Sequence, residues 1–359
     1  RREVEATLLD WRYAPQLRDG IAEPVTLEWR VSFPARPGPT RADPSRPGLR
    51  EGVDPLDSEL RRSRILALPV AEHRDLLAAQ TKIALSLLEA GRAKRSISAR
   101  FVVYSDADSA EVPGIIAGDL EAVFNTLADQ LLPGIEAIPE EYKVQVVAYR
   151  SRQQYQRLLE EMPFYEWSTG FYSPTGLIAF HLEQPSKDAV LSLLLHEGTH
   201  AFLDRHVVRR GVALPRWLGE GFADYVGNSA IQRGQLKPGK TVKRKYELRR
   251  WGKSTVETGG SLDLTEARRA MRLGEGPSVQ DLLTASPEVF YGDRYRLYYA
   301  TAWLLVHYLR SGDPGWESGR FPKLLLYVAE GYSADAAFRA LYGDPAASDA
   351  AFRRYVEKF

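Results

Sequence analysis

Three residues in the stretch LSLLLHEGTHAFLD (191–204) could do chemistry by type and spacing: His196, Glu197 and His200, the pattern H-E-x-x-H. On a helix, positions i and i+4 lie one above the other on the same face, so the two imidazoles can converge on one point. Two such nitrogens suit a tetrahedral zinc ion. Glu197 falls beside that face, where a carboxylate can polarise a metal-bound water. The mostly aliphatic run at 190–195 predicts a helix buried deeply enough to hold its ligands still. The competing account is a buried helix with two polar residues satisfied by neighbours.

Glu220 weighs against that account. It sits on the next predicted helix, LPRWLGEGFADYVG at 214–227, whose Pro215 and Gly227 mark its start and end. Two histidines and one carboxylate leave a fourth zinc position open, which separates catalytic from structural sites. Asp224, one turn after Glu220, shares its helix face and can accept the remaining N–H of a ligand histidine, fixing its tautomer. His181 and His206 could compete as ligands, but His206 faces elsewhere if the helix continues.

The chemistry that follows is hydrolysis of a peptide or other amide bond. Zinc lowers the pKa of a bound water towards ~7. Glu197 takes its proton as general base and returns it to the leaving amine. The oxyanion needs one more donor. Tyr291, Tyr295, Tyr298, Tyr299 and His307 are candidates, each with plain core packing as the alternative. Tyr299 leads, because a helix facing the metal helices would bury that surface; Tyr298 is next.

The segment 196–200, HEGTH, followed by WLGEGFADY at 217–225, resembles the gluzincin metallopeptidases, whose pattern is H-E-x-x-H and then W-L-x-E-G-x-A-[DE]-Y. More closely, the chain from about residue 100 onward resembles the bacterial peptidase-MA-like proteins, a family of largely unknown function. The entry strand FVVYSDAD, the segment SRQQYQRLL and the late helix YATAW at 299–303 carry that likeness. The resemblance implies a zincin-like fold, one Zn2+ held by His196, His200 and Glu220, Glu197 as base, and a role for Tyr299. Two departures matter. The aminopeptidases carry G-x-M-E-N before the metal helix, and the matching TGLIAF at 175–180 has no carboxylate, which disfavours an aminopeptidase; the leading expectation is a zinc-dependent endopeptidase or related amide hydrolase. That strand could still pair with an extended peptide. Residue 219 is Gly where many relatives have Asn.

Composition sets outer bounds. At 359 residues the chain exceeds one typical domain. Hydrophobic residues at 44% and charged residues at 26% are ordinary for a globular protein, so its core needs no staples. A net charge of +1 gives no field selecting nucleic acid, so none is expected as a partner. No apolar run approaches the ~20 residues of a membrane span. With no cysteine, disulfides, thiolate metal sites and cysteine nucleophiles are excluded. The chain opens Arg1-Arg2 without Met, which predicts a mature product, secreted or periplasmic rather than cytoplasmic.

The elements that must position the site read as α+β. Residues 25–33, VTLEWRVSF, alternate as a strand, with Trp11 and Tyr13 on a possible partner. Residues 34–57 form a proline-rich linker or recognition segment, and 58–92 a helix interrupted at Pro69. From about 99 the order is β-α-β-α-β-β-α, a small mixed sheet carrying the metal helix, with Ser151 and Ser186 as caps. Residues 232–260 are polar and basic, a solvated loop or helix face or else an anionic-substrate patch. After them the chain reads all-helical, with Thr265, Ser278, Ser333 and Ser348 as caps. Three parts are expected: an extension at 1–95, a catalytic α+β subdomain at 96–230 and a helical subdomain at 231–359. Besides a zinc peptidase, two functions compete: a non-catalytic zinc-binding or scaffolding protein, and a zinc hydrolase of a non-protein amide.

Overall fold

The computed structural model describes residues 17–18, 21–22, 65, 67–132, 142–162, 169–184, 186–208, 212–232, 235–241, 245–250, 253–258, 264–311 and 319–358. They fall into two compact units, Arg1–Arg46 and Pro47–Phe359. In the first, β1 (Leu17–Arg18) pairs antiparallel with β2 (Ile21–Ala22). The expected strand at 25–33 and the proline-rich segment at 34–57 lie outside the described residues.

The second unit is built on a five-stranded mixed sheet in the order β3-β4-β5-β7-β6. Its strands are β3 (Lys94–Ile97), β4 (Phe101–Ser105), β5 (Val144–Tyr149), β6 (Gly170–Ser173) and β7 (Leu177–His181). β4, β5 and β7 run parallel, while β3 and β6 flank them antiparallel. Side chains alternate across a strand, so each strand serves two cores. Val144, Val146, Ala148, Ile178 and Phe180 face α2 (Val112–Thr126) and α4 (Lys187–Phe202). Val147, Tyr149, Leu177 and Ala179 face the other way, against Leu77 and Ala84 of α1 (Val70–Ser86) and Tyr155 and Leu158 of α3 (Arg152–Glu161). Covering both faces explains why the parallel strands are almost wholly apolar.

This arrangement moves the expected boundary at 95/96. It runs through β3, and α1 supplies one layer of the sheet, so residues 70–97 belong to the same unit as the site. β3 escapes detection in the sequence because KRSI is an edge strand with a half-exposed, charged pattern. Of the helix expected at 58–92, Ile65 and Ala67 are helical, the helix is interrupted at Leu68-Pro69, and α1 follows with Pro69 at its N-cap.

After α4 come α5 (Arg216–Gly227) and two antiparallel hairpins, β8 (Ser229–Gln232) with β9 (Gln235–Thr241) and β10 (Lys245–Arg250) with β11 (Lys253–Thr258). The polar, basic segment expected as a loop or helix face is therefore largely β-hairpin, and the part after 231 is not all-helical. With few apolar residues the segment carries little periodic signal for a strand. Helices follow: α6 (Leu264–Arg272), α7 (Val279–Thr284), α8 (Pro287–Phe290), α9 (Tyr295–Ser311), α10 (Arg320–Ala329), α11 (Ala334–Tyr342) and α12 (Pro345–Lys358). Ser278 and Ser333 cap as expected, whereas Thr265 and Ser348 lie inside their helices. One apolar core runs from Phe101 to Val356, so the parts expected at 96–230 and 231–359 share a core. No helix among the described residues is long and apolar enough to cross a membrane.

Candidate metal centre

α4 begins at Ser186, whose hydroxyl accepts from the Ala189 N–H at 3.1 Å. Leu194, Leu195, Ala201 and Phe202 bury one flank of it against the sheet and α2. His196 and His200 are thereby turned together, with Nε2 atoms 3.1 Å apart. α5 crosses beside α4 and brings the third donor. Glu220 Oε2 lies 3.5 Å from His196 Nε2 and 3.4 Å from His200 Nε2. Donors about 2.0–2.1 Å from one tetrahedral centre stand about 3.3–3.4 Å apart, so the three separations fit a single small ion. Among the described residues this is the one cluster of histidine and carboxylate donors close enough to hold a metal.

Two glycines let α5 come this close. A Cβ on Gly221 would sit 2.7 Å from the Ala302 carbonyl oxygen of α9, and one on Gly227 would sit 3.0 Å from the Ser192 carbonyl oxygen of α4. α5 is thus wedged between α4 and α9. Gly227 is the last helical residue and Asn228 the C-cap, so close approach explains this glycine better than the expected helix stop. At Gly219 an added Cβ would meet only Leu214, at 4.0 Å, so the departure from Asn leaves room to spare.

The surrounding groups orient the donors. His196 Nδ1 lies 3.0 Å from Asp224 Oδ1, one turn beyond Glu220 on α5. An N–H donated there leaves Nε2 with its lone pair toward the cluster. Glu197 is buried next to the histidines and accepts a hydrogen bond from the Tyr172 backbone N–H on β6. Burial alone would lower the pKa of His196, but hydrogen bonds to Asp224 and Glu220 hold it well above the ordinary histidine value. Burial would likewise raise Glu220, yet the two histidines hold it well below the usual carboxylate range. For Glu197 and Asp224 burial wins, and both are raised despite the neighbouring imidazoles.

Sequence reasoning left several residues to be placed. The Tyr299 hydroxyl bonds that of Tyr291, and burial, Glu220 and Tyr291 push its pKa well up. Tyr291 donates directly to Glu220 Oε1, at 3.3 Å. Tyr298 instead feels Asp281 and Arg294, away from the cluster, and Tyr295 is exposed. His307 bonds the Tyr355 hydroxyl at 2.7 Å within the C-terminal helices. His206 packs against the Phe124 and Phe202 rings, and His181 against Tyr155, so neither joins the ligands. β7 pairs with β5 on one side and β6 on the other, so it has no free edge for the extended peptide expected there; β6 is the outer strand.

Arg216 was missed by sequence reasoning. Its Nη1 lies 3.4 Å from Glu220 Oε1, and its guanidinium sits 5.3 Å from the Tyr291 ring centroid. The i,i+4 spacing of Arg216 and Glu220 was the available signal. No protein-family model matches the chain, and no curated protein matches it.

Proposed function

We propose that the chain is a zinc-dependent hydrolase of peptide bonds, an endopeptidase of gluzincin type with a zincin-like fold, acting on a peptide or protein substrate. The observation that carries this is the convergence of His196 Nε2, His200 Nε2 and Glu220 Oε2 beside the buried carboxylate of Glu197. Two imidazoles and one carboxylate are a donor set that suits zinc and leaves one position open. A zinc ion bound there would supply Lewis acidity to water and to the substrate carbonyl.

The chain's own residues do the rest. Glu197, its basicity increased by burial, takes a proton from the attacking water and delivers it to the leaving nitrogen. Asp224 holds the His196 ring and its tautomer. Tyr299 keeps its proton at neutral pH because burial and the Glu220 charge oppose the phenolate. A neutral phenol is the donor that a developing oxyanion needs. An extended substrate would run along β6, whose Tyr172 N–H already reaches Glu197.

Metal analysis joined to peptide-library cleavage tests the assignment, comparing wild type with Glu197→Gln. The variant should keep its zinc and lose turnover. If wild type binds zinc and both proteins are equally inert on the library, the peptidase assignment fails and a scaffolding role or a non-protein amide substrate takes its place.

A further inference from the structure

We propose that Arg216 and Tyr291 clamp the outer oxygen of Glu220, so that this carboxylate meets a metal ion through one oxygen only. The inference rests on the metal-centre assignment and assigns two positioning residues to it. The two oxygens of Glu220 have different company. Oε2 faces His196 and His200 at 3.5 and 3.4 Å. Oε1 faces away, 3.4 Å from Arg216 Nη1 and 3.3 Å from the Tyr291 hydroxyl. The clamp comes from two places in the chain. Arg216 opens α5 one turn before Glu220, and Tyr291 follows α8. The guanidinium lies against the Tyr291 ring, and the Tyr299 hydroxyl bonds to that of Tyr291, so each donor braces the next.

The physical need is specific. An ionised carboxylate has two equivalent oxygens with about four lone-pair sites between them. Left to rotate, it can bind an ion through either oxygen or through both. Binding through both occupies a coordination position that a hydrolytic site must leave open. Two donors on Oε1, one of them charged, make that rotation lose both hydrogen bonds in a buried setting. Arg216 also lines a small cavity with His200, Leu214 and Glu220, so its charge bears on the carboxylate from the side away from Oε2. Tyr291 therefore holds a ligand, and Tyr299, whose hydroxyl donates to Tyr291, would reach a substrate oxyanion by exchanging that bond.

Cobalt(II) uptake by the full chain tests this without any substrate. Four-coordinate cobalt(II) absorbs visible light several times more strongly than five- or six-coordinate cobalt(II). Tyr291→Phe and Arg216→Gln should each lower the molar absorptivity of bound cobalt. They should also weaken its affinity roughly tenfold in competition with a chromophoric chelator. Arg216→Lys should recover part of both. Tyr291→Phe keeps the ring packed against Phe290 and Tyr299, so it carries the test if Arg216→Gln does not fold. Variant spectra that superimpose on wild type overturn the clamp alone. A wild-type chain that takes up no cobalt overturns the metal centre and the clamp with it.

Discussion

Asp224→Asn is the sharpest perturbation of the centre, because it changes one charge and almost no volume. In the wild type Asp224 Oδ1 lies 3.0 Å from His196 Nδ1, and Oδ2 is buried with no hydrogen-bond partner among the described residues. An asparagine can keep its oxygen on His196, but its amide nitrogen then lies where Oδ2 found no partner. An unsatisfied buried donor costs about 1–3 kcal/mol. Losing a carboxylate behind a ligand histidine weakens metal affinity by about 10–100-fold, or roughly 1.4–2.8 kcal/mol. The pH dependence separates the causes. In the metal-free wild type Asp224 is one of the groups that hold His196 protonated well above its ordinary pKa, and that proton must leave before Nε2 can bind an ion. Below that raised pKa, wild-type affinity falls about tenfold per pH unit. In the variant the His196 pKa drops, so proton competition begins at lower pH. The affinity gap should be widest in mildly alkaline solution and close as pH falls. Chelator-competition titrations at a series of pH values measure it. Parallel curves, or equal affinities at alkaline pH, would refute the role given to Asp224.

Two further changes probe other parts of the argument. Tyr299→Phe should lower kcat by about 10²–10³-fold, as loss of one oxyanion donor does, with metal content unchanged. Tyr298→Phe serves as the control and should leave kcat near wild type; equal losses in both would remove Tyr299 from the mechanism. Gly221→Ala should destabilise the fold by about 1–3 kcal/mol, since its Cβ would lie 2.7 Å from the Ala302 carbonyl oxygen. A drop in the thermal midpoint that bound zinc only partly recovers is expected, and an unchanged midpoint would show that α5 can shift.

Some of this protein is written locally. H-E-x-x-H on an aliphatic helix, Glu220 and Asp224 one turn apart, and Ser151 and Ser186 as caps all depend on helical periodicity, which a sequence displays directly. The strands 101–105, 144–149 and 177–181 were legible because both of their faces are apolar. The order of elements from β4 to α4 followed from the same signals. β3 and the hairpins at 229–258 were not legible, because short polar strands carry almost no hydrophobic period.

Other features depend on which surfaces meet, and no local pattern encodes that. Strand order put β7 inside the sheet and β6 at its edge, which decides where a peptide could add. The packing of α1 on the sheet joins residues 70–86 to the unit that carries the site, across the boundary expected at residue 95 from the start of the resemblance. The approach of α9 and the segment after α8 to α5 decided that Tyr291 and Tyr299 stand near Glu220 while Tyr298 does not. Spacing along one helix fixed which residues could ligate. The orientation of Glu220, with one oxygen toward the histidines and the other toward Arg216 and Tyr291, needed Tyr291, 71 positions along the chain, to be packed against a pair that lies one turn apart on α5.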